Sequence, residues 1–151
     1  MPLSAENQKH LTAAQGYVER GMFLDANAEL EEIDAEVRHV PEVLEVRVGI
    51  YQGLQQWELM QTVAKRLAIH EPDAVVWILA WAYSTRRADS IEQGRIILVN
   101  AIDRMPNVAL LQVNLACYEC QLGELERAKG SLQRAFNSLN RNLKVSLGQG
   151  S

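Results

Sequence analysis

The chain has 151 residues, of which 48% are hydrophobic and 23% are charged. This length and composition are those of one ordinary soluble domain with a sizeable core, so we predict a single domain over residues 1–151. The formal charge of −4 argues against a general nucleic-acid binder, which would carry an excess of basic residues. Residues 1–74 contain 6 Lys/Arg and 13 Asp/Glu (net −7), whereas residues 75–151 contain 9 and 6 (net +3), so we expect the two halves to attract different charges.

The N-terminal segment, Met1 to Gln15, has no apolar core and does not resemble a secretory signal. No run of 18 apolar residues is present to span a bilayer. The two cysteines, Cys117 and Cys120, are too few for a disulfide framework and are compatible with a reducing compartment. We therefore predict a cytoplasmic protein without a membrane partner.

Apolar residues recur at spacings of three and four along the chain, and short polar breaks separate these segments. This pattern is typical of amphipathic helices of about three to four turns. Strand signals are nearly absent, because aromatic residues are few and no Asn-Gly or Asp-Gly hairpin turn occurs. The chain is thus predicted to be all-α. Two of the helical segments are Leu24, Ala28, Leu30, Ile33, Val37 and Ile91, Gly94, Leu98, Ala101, Ile102.

The chain repeats itself with a constant period, which equals the spacing between Pro72 and Pro106. Each of these prolines follows one amphipathic segment and precedes another. A proline cannot continue a helix but fits a turn that opens the next one. In this register four repeats follow one another without an insertion, over residues 7–40, 41–74, 75–108 and 109–142, and residues 143–151 form a C-terminal extension.

Equivalent positions of the four repeats carry similar side chains. Mostly small residues at the eighth position let two helices approach closely, and these residues are Ala14, Val48, Ala82 and Ala116. The fifteenth position tolerates a turn and marks the break between the two helices; it holds Gly21, Gln55, Asp89 and Gly123. The twenty-fourth position is predicted to be a buried anchor and holds Leu30, Ala64, Leu98 and Leu132.

This register resembles the tetratricopeptide repeat (TPR), whose pattern of large, small and aromatic residues runs at fixed offsets within a unit of about 34 residues. The first and second repeats match through Ala14, Tyr17, Gly21, Ala26 and Leu30, and through Leu44, Val48, Tyr51, Trp57 and Pro72. The third and fourth match through Trp81, Ala82, Leu98, Ala101 and Pro106, and through Leu115, Ala116, Gly123, Ala128, Leu132 and Ala135. The residues that depart from the pattern are Arg47, Met60, Gln112 and Glu119. The alternative fold is a generic helical bundle.

The resemblance implies a right-handed superhelix of four two-helix repeats, in which the first helix of each repeat lines a concave groove. Each helix pair buries its apolar face only against its neighbours, which leaves a curved inner surface for ligands. The resemblance therefore implies a non-catalytic adaptor or scaffold that binds an extended or helical peptide of a protein partner. No cofactor or metal is expected.

Positions 2, 5, 6, 9, 12 and 13 of each repeat are expected on the inner face of its first helix. In the first two repeats these positions are mixed, with Gln8, Leu11, Gln15, Glu19, Glu42, Glu45, Gly49 and Gln52. The last two repeats provide the predicted partner-binding residues, namely Val76, Leu79, Tyr83, Arg86, Arg87, Leu110, Val113, Asn114, Cys117, Cys120 and Gln121. Apolar side chains beside Tyr and Arg are typical of recognition sites. The alternative is that the aliphatic residues only pack between neighbouring first helices and that both arginines are ordinary solvated charges.

Two more specific TPR functions can be compared with these residues. One subclass grips a C-terminal carboxylate through Lys and Asn at set inner positions, but the corresponding residues here are Leu11, Gln15, Val46, Val76 and Ala80, so this clamp is not predicted. The other is a dedicated chaperone for a secreted or aggregation-prone client. The length and repeat number are similar to those of TPR-type chaperones of bacterial type III secretion, so this alternative stays open.

One sequence motif suggests chemical reactivity or metal binding: Cys117 and Cys120 have a C-x-x-C spacing. A redox role needs a lowered thiol pKa, usually at a helix N-terminus, and a zinc site needs four ligands. Here the pair is predicted to lie mid-helix, and His10, His39 and His70 belong to other repeats. We therefore predict packing or groove cysteines, and a thiol enzyme or metal protein is the third hypothesis. No phosphate-binding loop or nucleophile motif is present.

The two ends of the chain carry contrasting surfaces. A solvated outer face, rather than a docking patch, is predicted for an acidic stretch on the second helix of the first repeat, formed by Glu29, Glu31, Glu32, Asp34 and Glu36. At the other end an apolar face is predicted to prolong the last helix, with Phe136, Leu139, Leu143, Val145 and Leu147. We expect self-association or a partner to cover it, which makes a homo-oligomer through the C-terminal helix a hypothesis.

Overall fold

The computed structural model describes residues 2–148. Within these residues the chain forms eight α-helices and no β-strand. The helices are α1 (Ala5–Glu19), α2 (Phe23–Glu31), α3 (Pro41–Gly53), α4 (Trp57–His70), α5 (Val75–Ala88), α6 (Ile91–Arg104), α7 (Ala109–Gln121) and α8 (Leu125–Ser146), and a short 3₁₀ helix, Ala35–Val37, follows α2. Consecutive helices pack as pairs, so the prediction of an all-α solenoid is confirmed.

The same turn joins the two helices of the first, second and fourth pairs. Its central residue is Gly21, Gln55 or Gly123, with φ of 73°, 56° and 79°. The backbone N–H of the following residue donates to the carbonyl five residues earlier, at 2.8 to 2.9 Å. This helix ending requires a left-handed residue, a conformation that glycine adopts without strain. The third pair differs, because Asp89 has φ of −112° and the Ser90 hydroxyl caps α6 instead.

The helices form an inner and an outer layer. Each second helix of the first three pairs packs against the first helix of its own pair and against the first helix of the next pair. First helices also contact one another, α1 with α3 and α5 with α7. No extensive contact within residues 2–148 joins two second helices. The first helices therefore form the inner layer of a curved ribbon, and the second helices diverge on its outer side.

Buried aliphatic residues at equivalent positions hold neighbouring pairs together. The twenty-fourth position is 0% exposed in the first three pairs, as Leu30, Ala64 and Leu98. Leu132 occupies the same position in the fourth pair, but the prediction that it is a buried anchor is wrong: it is 50% exposed, because no helix of the described residues follows α8. Full burial of a leucine side chain is worth about 1.5–3 kcal/mol. This position is thus buried at the interfaces between helix pairs, whereas the equivalent face of α8 is exposed to solvent.

The second helix of the first pair is shorter than the segment Leu24 to Val37 predicts. It ends at Glu31, and Asp34 is non-helical with ψ of 134°. The Asn7 side chain on α1 stabilises this ending, because its Oδ1 accepts from the backbone N–H of Asp34 and its Nδ2 donates to the Asp34 carboxylate, both at 3.1 Å. The acidic stretch is therefore divided between α2 and the following turn and does not form one helical face.

Cations of the same chain pair with part of the acidic stretch. Glu29 lies 2.8 Å from the Nδ1 atom of His10, and this hydrogen bond raises the pKa of His10 above its ordinary value. Glu31 pairs with Arg38 at 3.3 Å and with Arg47 at 3.2 Å. Intrachain ion pairs thus reduce the negative charge that this end offers to a partner.

Two buried polar residues occupy positions where the TPR pattern has large side chains. Glu119 is 4% exposed; it accepts a hydrogen bond from the Ser131 hydroxyl at 2.5 Å, and Arg134 donates to the same hydroxyl at 3.0 Å. Gln112 is 2% exposed and donates to the carbonyl of Pro106 at 3.4 Å. These hydrogen bonds offset part of the cost of burying polar atoms. The hydrogen bond from Ser131 accommodates Glu119 in the packing of α7, whereas the buried Oε1 atom of Gln112 has no hydrogen-bond partner within residues 2–148.

Candidate functional site

The candidate site is the solvent-facing surface of α5 and α7 on the inner side of the solenoid, which we call the inner face. Spacings of three, four and seven residues place its side chains on one stripe of each helix, and the two helices contact each other. The inner face consists of Val76, Leu79, Tyr83, Arg86 and Arg87 on α5 and of Leu110, Val113, Asn114, Cys117, Cys120 and Gln121 on α7. All of these residues are exposed or half-buried.

The α7 part of the inner face presents apolar side chains to solvent. Leu110 is 53% exposed and Val113 is 36% exposed. Asn114 is half-buried, and its Nδ2 donates to the Leu110 carbonyl at 2.8 Å. Cys117 and Gln121 continue the stripe towards the end of the helix as exposed residues. This stripe is the apolar half of the candidate site.

The α5 part begins with one exposed and one half-buried aliphatic residue. Val76 is 59% exposed. Leu79 is half-buried and packs against the core that contains Ile78 and Leu111. Leu79 thus fits the alternative that these aliphatic residues only pack between neighbouring first helices, whereas the exposed Val76 does not.

Towards the C-terminus of α5, an arginine and two aromatic rings form a cluster. The rings of Trp57 and Tyr83 meet edge to face, with centroids 5.5 Å apart. The Arg87 guanidinium lies 4.5 Å from the Trp57 centroid, and its Nη1 donates to the Tyr83 hydroxyl at 3.0 Å. A cation–π contact such as that of Arg87 with Trp57 is attractive by about 0.5–1 kcal/mol at exposed sites. These contacts hold the exposed Arg87 in a defined position at the C-terminal end of α5.

Arg86 has a different environment from Arg87. It is half-buried, and its guanidinium lies 5.1 Å from the Tyr118 ring centroid and 5.9 Å from that of Tyr83. Tyr118 is 4% exposed, and burial raises its pKa above the ordinary value, although the neighbouring Arg86 charge opposes this rise. Arg86 thus bridges α5 and α7 and is not an ordinary solvated charge.

Trp57, which the sequence analysis named only as a match to the TPR pattern, also belongs to this region. With Arg87 it lines an open cavity of about 420 Å³, whose other lining residues are Gln55, Gln56, Glu58, Leu59 and Ala88. Trp57 and Arg87 are distant in the chain and belong to different repeats. Trp57 occupies the seventeenth position of its repeat, where the other repeats have Phe23, Ile91 and Leu125, and its larger indole was the signal available in the sequence.

The inner positions of the first two pairs are more polar. Glu42, Glu45 and Gln52 lie on α3 with solvent-accessible side chains. Partial burial, reinforced by the nearby charges of Glu71 and Glu42, raises the pKa of Glu45. Leu11, which the pattern placed on the inner face of α1, is only 2% exposed, because it belongs to the core between the first two pairs. The apolar part of the inner surface is therefore confined to α5 and α7.

Cys117 and Cys120 are free thiols, and both are exposed. They lie in the C-terminal half of α7 and not at its N-terminus. Within residues 2–148, no group of three or more His, Cys, Asp and Glu side chains is arranged to hold a metal ion.

A larger cavity of about 990 Å³ lies on the outer side, where α6 and α8 diverge over α7. Its lining includes arginines and acidic residues, namely Arg95, Arg127, Arg134, Arg141, Asp103, Glu119 and Glu126. Arg95 and Arg127 share the Glu124 carboxylate at 2.8 and 3.3 Å. Intrachain contacts and mixed charge characterise this cavity, in contrast to the apolar inner face.

None of the helices between residues 2 and 148 is long and apolar enough to cross a membrane.

Comparison with known proteins identifies similarity at the level of the fold. No protein-family model matches the chain, and no curated protein matches it in sequence. Solved structures of MamA superpose on it. MamA of MSR-1 gives a TM-score of 0.72 at 18% identity, over 88% of this chain and 76% of that one. A crystal structure of MamA gives 0.76 at 10% identity, over 91% and 81%.

A shortened MamA from Desulfovibrio magneticus RS-1 also matches, with a TM-score of 0.55 at 13% identity, over 93% of this chain and 98% of that one. Sequence identities this low show the fold alone. The fold is a helical, TPR-like solenoid.

Proposed function

We propose that this chain is a non-catalytic protein-interaction module that binds a peptide or helix of a partner protein on the inner face of α5 and α7. The observation that carries the proposal is the exposure of Val76, Leu110 and Val113 in the N-terminal halves of α5 and α7, with the Trp57, Tyr83 and Arg87 cluster at the C-terminal end of α5. Trp, Tyr and Arg are enriched among binding hot spots, and exposed apolar patches mark interaction sites. The proposal includes a cytoplasmic location and no cofactor, metal, nucleic acid or membrane.

The chemistry of the inner face suggests what kind of segment it binds. Apolar side chains of a helix or an extended peptide would cover the aliphatic stripe of α7. A carboxylate of the same segment would approach Arg87, whose guanidinium is exposed and held over Trp57. The preferred partner is therefore a segment with spaced apolar residues and an acidic residue at one end.

A dedicated chaperone for a secreted or aggregation-prone client is the alternative function. The exposed apolar stripe is compatible with it, because a chaperone also covers apolar segments of its client. A chaperone would co-purify with one client at fixed stoichiometry, whereas an adaptor would exchange its partners. A second copy of this chain is proposed as a further protein partner, at the C-terminal helix.

The proposal predicts that charge on the apolar stripe abolishes partner binding. We expect the double variant Leu110→Glu and Val113→Glu to retain less than about one tenth of the partner that the immobilised wild-type chain captures from extracts of the native host, because the two residues are proposed anchors. Quantitative mass spectrometry measures the captured protein. Both residues are exposed, so circular dichroism and the melting temperature should change little.

The matched control is Leu24→Glu with Ile69→Glu, which adds the same charge to second helices. Leu24 is 74% exposed and Ile69 is 65% exposed. This control should capture the partner as well as the wild type does. Equal capture by both double variants would contradict the inner-face proposal. Arg86 is unsuitable for the test, because its contact with Tyr118 couples binding to packing.

A further inference from the structure

The last helix exposes an apolar face that is interrupted only by Lys129. Leu132, Phe136, Leu139 and Leu143 recur at spacings of four, three and four residues, and Leu125 lies seven residues before Leu132 on the same face. Their exposed fractions are 58% for Leu125, 50% for Leu132, 64% for Phe136, 57% for Leu139 and 58% for Leu143. We call this set the C-terminal face. It extends along most of α8, and large contiguous apolar patches are uncommon on monomers and mark interaction sites.

Within the solenoid, the same face of a second helix is an interface. Leu132 is equivalent to Leu30 and Leu98, which are 0% exposed because the first helix of the next pair covers them. Leu125 is equivalent to Ile91, which is half-buried in the core between the third and fourth pairs. The C-terminal face thus continues a row of established helix contacts and is shaped to receive one more helix.

We infer that this helix is α8 of a second copy of the chain, in antiparallel orientation. A helix turns once in about 3.6 residues, so two positions separated by five full turns lie on the same face. Leu125 and Leu143 have this separation. Antiparallel pairing centred near Arg134 therefore places Leu125 against the partner's Leu143 and Leu132 against the partner's Phe136. Leu139 lies opposite the partner's Lys129, so the C-terminal face is self-complementary in this orientation at its other four residues.

The charges beside the C-terminal face favour the antiparallel orientation. Glu126 and Lys144 are also separated by five full turns, so they lie on the same flank of α8. In an antiparallel pair with two-fold symmetry, like flanks of the two helices meet, and Lys144 of each copy lies beside Glu126 of the other. Lys144 is exposed and forms no ion pair with a carboxylate of residues 2–148, whereas Glu126 lies 3.3 Å from Lys129 of its own helix and would be shared by two lysines. A parallel pair would bring unlike flanks together and leave Lys144 without this partner.

The other end of the solenoid does not offer a matching surface. Apart from Ala5, the exposed positions of α1 are polar and include Gln8, Lys9, Thr12, Gln15 and Glu19. Head-to-tail stacking would therefore cover the C-terminal face with polar side chains. The two-fold pair buries Leu125, Leu132, Phe136 and Leu143 against apolar side chains and closes the assembly at two copies. The inference is independent of the proposed peptide site, because α8 contributes no residue to the inner face.

Sedimentation equilibrium of the whole chain tests the inference. We expect the wild type to be a dimer and Phe136→Glu with Leu139→Glu to be a monomer with unchanged helix content, because both residues are exposed within one copy. Leu24→Glu, a change of the same kind at an exposed position of α2, should remain dimeric. A monomeric wild type at high concentration, or a dimer that persists in the double variant, would overturn the inference.

A charge exchange tests the orientation separately. Lys144→Glu and Glu126→Lys should each raise the dimer dissociation constant about tenfold, since each creates two like-charge contacts in the symmetric pair. The combined variant restores opposite charges and should return the dissociation constant to within about threefold of the wild type. Additive weakening in the combined variant would overturn the antiparallel arrangement.

Discussion

Replacing Gly94 with alanine is expected to lower the free energy of unfolding by about 2 kcal/mol, although alanine is the better helix former. A Cβ atom at Gly94 would lie 2.8 Å from the Ala82 carbonyl oxygen and 3.0 Å from the Tyr118 ring. The first of these is backbone, so relief requires α5 and α6 to move apart. The third helix pair depends on this close approach, which also positions Arg86 against the Tyr118 ring.

Gly130→Ala is the matched control for Gly94→Ala. Gly130 is also in a second helix, but the nearest atom to a new Cβ is the guanidinium end of Arg134, at 3.3 Å, a flexible side-chain end that needs to shift only by a few tenths of an ångström and can keep its hydrogen bond to Ser131. Alanine should therefore stabilise the protein by up to about 1 kcal/mol through its helix propensity. Chemical denaturation followed by circular dichroism measures both variants. If Gly94→Ala and Gly130→Ala changed the free energy of unfolding in the same direction, the close approach of α5 and α6 would be contradicted.

Leu98→Ala is expected to lower the free energy of unfolding by about 2–5 kcal/mol. Leu98 is 0% exposed and belongs to the core between the third and fourth pairs, with Ile78 and Leu111. Truncation there leaves a cavity that neighbouring helices cannot fill. The result should be a single, strongly weakened unfolding transition.

Leu132→Ala tests the twenty-fourth position in the fourth repeat, where this position is exposed to solvent. Leu132 is 50% exposed, so its truncation should cost less than about 1 kcal/mol in the monomeric background of Phe136→Glu with Leu139→Glu. The ratio of the two losses in unfolding free energy measures how far the burial of the leucine, and not the residue type, determines stability. Similar losses for Leu98→Ala and Leu132→Ala would show that α8 is covered in the monomer.

The fold was predictable because its determinants repeat along the chain. The constant spacing of equivalent residues located the helix pairs, and the glycines Gly21 and Gly123 marked turns that require a left-handed conformation. The end of α2 was not predictable. It depends on hydrogen bonds between Asn7 and Asp34, which are 27 residues apart, and such pairing has no local signature.

The candidate site was predictable in its aliphatic part and not in its aromatic part. Helical spacing alone assigns Leu110 and Val113 to one exposed stripe. The contact of Arg87 with Trp57 joins two repeats and depends on how α4 packs on α5. For the same reason, the sequence did not distinguish the exposed Arg87 from Arg86, which packs on a ring of α7.

The central claim is that the inner face binds a protein partner. Site-specific photo-crosslinking in the native host tests this claim most directly. A photoreactive phenylalanine would replace Val76, Leu110 or Val113 on the inner face, or Ile69 on the outer side. We predict that the three inner positions crosslink to the same protein, identified by mass spectrometry, and that Ile69 does not. Crosslinks to a common protein from Ile69, with none from the inner positions, would contradict the account.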